Sequence, residues 1–236
     1  NNITGNRRGI QLEGYPNSNN LISENIVESS RMNGIWLGSA FNNTIIRNNI
    51  TANGLSDWKE GGILLYCSIN SSVVENNIRA NYEYGVKMVD SVLNTISGNN
   101  VTYNVNFGML LEGAQGNLIS QNKLIDNFYY GMLIRYCYGS NTLRYNNLAG
   151  NQYNFGVEGY MDRYVHDVDE TNMVDGKPIY YWVNRKNGQI PPDAGYVAIV
   201  NSTNIKVEGL NLKNNYQGIL IAYSNNIIIH QNNVTS

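Results

Sequence analysis

Residues 94–111 read NTISGNNVTYNVNFGMLL. Three short runs organise this stretch: Asn94-Thr95-Ile96, Asn99-Asn100-Val101 and Gly108-Met109-Leu110-Leu111, with Asn104 three residues after Val101. No run approaches the roughly 10–12 residues of 3.6-residue periodicity that a helix needs. The same phrases recur in both directions. The Gly-apolar phrase returns as Gly9-Ile10-Gln11-Leu12, Gly34-Ile35-Trp36-Leu37, Gly62-Ile63-Leu64-Leu65, Gly85-Val86-Lys87-Met88, Gly131-Met132-Leu133-Ile134, Gly156-Val157-Glu158-Gly159 and Gly218-Ile219-Leu220-Ile221. With Gly108 included, these glycines are 25, 28, 23, 23, 23, 25 and 62 residues apart. The Asn-led phrases return as Asn43-Thr44-Ile45, Asn117-Leu118-Ile119 and Asn141-Thr142-Leu143, and as Asn48-Asn49-Ile50, Asn76-Asn77-Ile78 and Asn146-Asn147-Leu148. A closing Asn follows at Asn53, Asn81, Asn127, Asn151 and Asn215, with Ser30 as the substitute.

A unit this short cannot bury its apolar side alone; stacked on copies of itself it can. The pattern predicts an all-β chain wound as a right-handed parallel β-helix, a solenoid with three short strands per coil. A hairpin meander would show two-residue turns between longer strands and would not fix Asn at one phase. The chain holds 42 Asn, 23 Gly and only 4 Pro. In a parallel stack, equivalent Asn side chains lie about 4.8 Å apart and can hydrogen-bond as a ladder. Asn and Gly also accept the left-handed backbone of sharp corners.

Charged residues make up 14% of the 236 and the net charge is −2. That excludes the basic stripe a nucleic-acid binder needs, and no apolar run reaches the roughly 18–20 residues of a membrane span. No signal peptide opens the sequence. Asn1-Asn2-Ile3-Thr4 and Asn232-Asn233-Val234-Thr235 repeat the phase of Asn48-Asn49-Ile50-Thr51. The reading is a single β-helix domain over 1–236, expected to be part of a longer chain or a unit that associates end to end. Two breaks interrupt it. Residues 51–61 lengthen one turn, with Leu55 to Glu60 bulging outward, and 160–195 is an insertion holding Pro178, Pro191 and Pro192. Coils resume at Val197-Ala198-Ile199 and Asn204-Ile205-Lys206-Val207.

Over about 200 residues these units resemble the NosD-like right-handed β-helix repeats of carbohydrate-binding and sugar-cleaving proteins. The phrases that carry the resemblance are Asn94 to Val101 and Asn104 to Met109. The stretch Asn172 to Tyr181 is similar to a segment of secreted and surface β-helix proteins of methanogenic archaea. The resemblance implies an extracellular or cell-surface location and a polysaccharide or cell-surface glycan as partner. It does not fix an activity, because such coils host lyases, hydrolases, epimerases, adhesins and scaffolds.

Candidate sites follow from the repeat. The second position after each Gly should face outward; it reads Gln11, Trp36, Leu64, Lys87, Leu110, Leu133, Glu158 and Leu220, so the 160–195 insertion, a partner or a flat ligand should cover it. The fourth position reads Glu13, Gly38, Tyr66, Val89, Glu112 and Arg135. Trp36, Tyr66, Lys87, Glu112, Arg135, Tyr136 and Glu158 form the candidate ligand face; alternating charge with aromatics suits a sugar polymer. The insertion offers Asp162, Arg163, His166, Asp167 and Asp169, whose carboxylates and His suit acid/base chemistry or, as oxygen donors, Ca²⁺. The paired-Asp, calcium-Asp-plus-Arg and Asp-Pro-His phrases of sugar-cleaving β-helices are absent, so no catalytic residue is assigned and the reading is a non-catalytic scaffold or carbohydrate-binding module. The alternatives are a polysaccharide lyase, hydrolase or epimerase, and a self-stacking surface or filament protein.

The NosD association implies copper, but His166 and His230 are the only histidines. Cys67 and Cys137 fall three coils apart, about 14 Å by strand spacing, too far for a shared metal or disulfide. Met109 and Met132 point inward. No metal site or other cofactor is therefore expected beyond the calcium alternative. Among the N-x-S/T sequons, Asn42, Asn70 and Asn201 fall in turns and are the glycosylation candidates.

Overall fold

The computed structural model describes the chain apart from residues 16 and 56–58 and the side chain of Met161. The middle of the expected 51–61 bulge therefore lies outside the described residues. Among those described there is no α-helix; short strands stack into three large sheets, parallel but for one antiparallel pair, and two small parallel sheets near the C-terminus, Lys186–Gln189 with Thr203–Glu208 and Ile228–His230, and Asn211–Lys213 with Asn233–Thr235. Sheet I collects the Gly-led strands from Ile10–Glu13 to Tyr153–Glu158, and sheet II those from Leu21–Ser23 to Asp167–Val168. Sheet III begins at Asn2–Thr4 and runs the length of the molecule to Ile219–Ala222. Alternation places Ile35, Leu37, Val86, Met88, Met109, Leu111, Met132 and Ile134 inside, all fully or almost fully buried in one core.

Asparagine satisfies the corners in three ladders rather than one. The first runs Ser30, Asn53, Asn81, Asn104, Asn127, Asn151 and ends on Asn154. The second runs Asn25, Asn48, Asn76, Asn99, Asn122, Asn146, Asn172. The third runs Asn20, Asn43, Ser71, Asn94, Asn117, Asn141, His166. At each full asparagine step, Oδ1 accepts both the backbone N–H and the Nδ2 of the residue one coil below, as Asn99 does from Asn76. The ladder asparagines are not themselves left-handed. The residue before most of them is: Arg47, Ala52, Glu75, Ala80, Leu93, Tyr103, Gln121, Asp126 and Tyr145 all have φ between 52° and 58°. Residues of almost any type occupy these positions, so the ladder hydrogen bonds offset the roughly 1–2 kcal/mol that left-handed backbone costs each of them.

The stretch 160–195 departs from the coil pattern by reversing the chain rather than by projecting from it. Asp167–Val168 and Met173–Val174 still pair with the coil beneath, at Thr142–Leu143 and Asn147–Leu148. A hairpin at Asp175 and Gly176, with φ of 47° and 76°, then turns the chain. Lys177–Val183 runs antiparallel to Met173–Val174, and Tyr196–Val200 and Ile219–Ala222 follow parallel to it in sheet III. These strands are buried on both faces. Ile179, Tyr181, Ala198 and Val200 join the large core, while Tyr180, Trp182, Val197 and Ile199 pack in a second core with Ile205, Val207, Leu210 and Leu212. The second stack thus lies on the opposite face of sheet III. Reversed strand direction with a reversed face amounts to a half-turn about the stack axis, which preserves the hand of the coil. Two expectations are corrected as a result. Gly218-Ile219-Leu220-Ile221 belongs to sheet III, not to the Gly-led column of sheet I. Asn215 leaves the ladder: its Nδ2 donates to the Gly195 carbonyl at 2.8 Å, and its buried Oδ1 has no partner among the described residues.

Candidate functional site

The outer face of sheet I is covered by its own side chains, not by 160–195. Leu110 and Leu133, each 2% exposed, pack with Tyr84 and Phe107, and Leu64 and Tyr130 lie against them. Phe107 stacks on Tyr130 at 4.8 Å, and Tyr153 and Tyr216 continue the aromatic cluster at 5.4 and 5.7 Å from Tyr130. The register also moves Glu158. Phe155 pairs with Met132, so Asn154 stands where the coil below has Gly131, and Gly156 follows Leu133 in the outward column. Glu158 therefore stacks on Arg135, which stacks on Glu112. The 25-residue spacing before Gly156 is a two-residue phase slip. A side chain at Gly156 would place its Cβ 2.6 Å from the Cβ of Tyr216, so Gly there admits Tyr216 from the second stack.

Three of the charges expected on this face form one group. Glu112 accepts from Arg135 at 2.8 Å and from Lys87 at 3.2 Å. Burial works to raise the Glu112 carboxyl, but the Arg135 hydrogen bond and the two cations together hold it below the ordinary carboxylate value. Glu158 instead accepts the Tyr216 hydroxyl. Trp36 is not part of this group; the Arg8 guanidinium lies over its ring at 3.8 Å.

Beside these charges, at the C-terminal edge of sheet I, lies an open cleft of about 490 Å³. Its walls bring together Asp90, Glu112, Tyr136, Tyr138, Tyr160 and Arg163. The three tyrosines are 45, 60 and 49% exposed. Arg163 lies between two of them, 4.5 Å from the Tyr138 ring and 4.3 Å from Tyr160, and donates to the Tyr136 carbonyl. It has no ion-pair partner among the described residues. The Asp90 carboxylate, equally without a hydrogen bond or ion pair among them, fits the floor only because Gly113 has no side chain: a Cβ there would come 2.1 Å from the Asp90 Oδ1. Tyr66, 45% exposed, belongs to the same outward column, two coils below Glu112. Sequence reasoning missed Asp90, Tyr138 and Tyr160. The register held the signal for Asp90: it follows Val89, the partner of Glu112.

The candidates from 160–195 do not form one site. Arg163 joins the cleft. Asp162 lies across the 3-10 turn Met161–Tyr164 in a second groove with Val165, Val200, Asn201 and Tyr223. Asp167 and Asp169 pair with Arg144 at 2.5 and 3.1 Å. His166 is 3% exposed and caps a ladder, and burial pushes its pKa down to about 4 against a smaller pull from the Arg163 backbone. Among the described residues, no group of three or more His, Cys, Asp or Glu side chains could hold a metal ion. Cys67 and Cys137 are free. Asn42, Asn70 and Asn201 are exposed, with φ between 47° and 54°. Asn70 donates to Asn42 at 2.8 Å and Asn201 to Asn184 at 2.6 Å. Among the described residues, no helix is long and apolar enough to cross a membrane.

The family model described as "Right handed beta helix region" matches residues 1–152. No curated protein sequence matches the chain. Among solved structures, it is similar to the periplasmic alginate epimerase AlgG: 20% identity over 91% of this chain and 43% of that one, TM-score 0.50. A single mutant of AlgG matches at 18% identity over 95% of this chain and 47% of that one, TM-score 0.56. A double mutant matches at 21% over 66% and 43%, with the same TM-score. The chain spans less than half the length of these proteins. At such identities the likeness is one of fold.

Proposed function

The chain belongs to the right-handed β-helix family, and from that membership we propose that it is a non-catalytic, extracellular or cell-surface module that binds a polysaccharide in the cleft beside sheet I. The observation that carries this reading is the Tyr138–Arg163–Tyr160 sandwich at the cleft wall. Exposed aromatic rings suit the apolar faces of sugars, and a guanidinium that pairs with no carboxylate among the described residues suits an acidic sugar. Binding sites are concave surfaces with a few convergent polar groups, and this cleft has that form. The phrases Asn94 to Val101 and Asn104 to Met109 support a NosD-like kinship, and the stretch Asn172 to Tyr181 supports a secreted archaeal setting. AlgG, whose name associates it with alginate, shares the coil architecture and supports polysaccharides as the ligand class.

A catalytic reading has one observation in its favour, the unpaired Asp90 carboxylate on the cleft floor. Calorimetry of the wild type and Tyr138→Ala against alginate, polygalacturonate and a neutral glucan tests the binding reading. The wild type should bind at least one polymer, and Tyr138→Ala should bind it about two- to tenfold more weakly, the worth of one aromatic contact. Silence of the wild type toward all three, or identical isotherms for the two proteins, would remove the cleft from consideration.

A further inference from the structure

We infer that the ligand path does not end at the cleft but crosses the 3-10 turn Met161–Tyr164 into the groove on its far side, so that the second stack supplies a subsite for a long polysaccharide chain. The inference rests on the reading of the cleft as a polysaccharide site. The turn is a thin partition whose consecutive residues divide between two open grooves: Arg163 faces the cleft, while Asp162 and Val165 line the second groove of about 350 Å³. The far wall of that groove is Val200 and Tyr223 from the second stack. Tyrosine rings mark both sides. Tyr136 lies 6.3 Å from Tyr160 on the cleft side, and Tyr164 lies 6.4 Å from Tyr223 on the other. Tyr223 is 58% exposed and is held with φ 53° at the turn after Ile219–Ala222, as Tyr136 is with φ 50° after its own strand.

The two grooves differ in charge, and this sets their chemistry. The cleft holds the Arg163 guanidinium as well as the Asp90 carboxylate and so offers an acidic sugar a cation, whereas the second groove offers the exposed Asp162 carboxylate, the Asn201 amide and the apolar Val165 and Val200. That combination takes a sugar through its ring face and hydroxyl groups, and the Asp162 charge weakens the hold on an acidic sugar without removing the ring contact. A ligand confined to the cleft never reaches Tyr223. A chain long enough to cross the turn engages both grooves at once, and the second contact then acts at high effective concentration.

The test is affinity against chain length, with alginate oligomers of about two to four and about eight to ten sugars as probes. The wild type should bind the long oligomers about two- to tenfold more tightly than the short ones. Tyr223→Ala should erase that step and leave short-oligomer binding unchanged, while Tyr223→Phe, which keeps the ring, should retain it. Asp162→Asn, on the exposed face of the turn, should strengthen only the long acidic oligomers. Affinity that does not grow with length, or losses in Tyr223→Ala that are equal for short and long probes, overturns the extension and leaves the cleft reading standing. Absence of binding at every length overturns both.

Discussion

The backbone N–H of Asn141 donates to Nδ1 of His166 at 3.3 Å, where an Asn or Ser oxygen accepts the equivalent bond in every coil below. His166 is thus the last rung of an asparagine ladder, and its Nε2 is buried without a partner among the described residues. Burial lowers its pKa from 6.5 to about 4. The unfolded chain therefore binds a proton that the folded chain refuses. His166 contributes its full stability above pH 6.5 and loses it as pH falls toward about 4, a difference of about 3 kcal/mol. In thermal melts across this window, His166→Asn should flatten the pH dependence by restoring the ladder residue. A variant whose melting temperature falls as steeply as that of the wild type would show that another group sets the slope.

Asn99 and Asn100 are neighbours with opposite duties. Asn99 is 1% exposed, accepts two bonds from Asn76 and donates to Asn122. Asn100 is exposed and makes one side-chain bond, to Asn77. Replacing Asn99 by Leu should cost about 1–3 kcal/mol for each buried group left unpaired. Asn100→Leu should stay within about 0.5 kcal/mol of the wild type. Denaturant titrations would separate them, and equal losses would refute the ladder as the source of corner stability.

The coil fold was legible because it is written once per repeat: Gly108-Met109-Leu110-Leu111 and Asn94-Thr95-Ile96 each announce a strand, and stacking is the only way so short a unit buries its apolar side. The reversal at Asp175-Gly176 was not legible. Tyr196–Val200 reads like another coil strand, and nothing local tells a reader that Val197 and Ala198 face different cores. The site was half legible. Glu112 and Arg135 could be placed side by side, with Tyr136 next to them, because register follows from the repeat. Glu158 was misplaced because a two-residue slip moves every later side chain to a new column without altering the periodic look of the phrase. Arg163 was assigned to an acidic cluster because sequence adjacency to Asp162, His166 and Asp167 concealed that a 3-10 turn sends neighbours to opposite sides.

Gly156 is where the two stacks meet. Tyr216 sits over it, donates to Glu158 and touches Tyr130 and Tyr153, and the Tyr216 backbone N–H donates to the Phe155 carbonyl at 3.1 Å. Gly156→Ala should push Tyr216 away and cost about 1–3 kcal/mol, as overpacking does. Hydrogen exchange should show the loss as faster opening of 196–222, with the coils around Val101 unchanged. Uniform acceleration along the whole chain would mean that the stacks unfold as one unit and that Gly156 is not a local joint.

Binding should occur without turnover. Glu112 is held between Lys87 and Arg135 and kept below the ordinary carboxylate value, so near neutral pH it is an anion with no proton to give. Glu158 is tied to the Tyr216 hydroxyl. The two carboxylates stand two coils apart, about 10 Å by strand spacing, beyond the roughly 5–9 Å over which glycoside hydrolysis pairs its acid with its nucleophile or base. His166, the remaining acid/base candidate, is buried and neutral above about pH 4. Asp90 shares the cleft with Glu112 and with Tyr136, Tyr138 and Tyr160, but Glu112 is committed to Lys87 and Arg135, so the cleft offers no second free carboxylate among the described residues to pair with it. Prolonged incubation with alginate and polygalacturonate should therefore yield no new reducing ends, no unsaturated product and no change in uronate configuration by NMR. Any product that disappears in Asp90→Asn would identify Asp90 as a catalytic residue and make this module an enzyme.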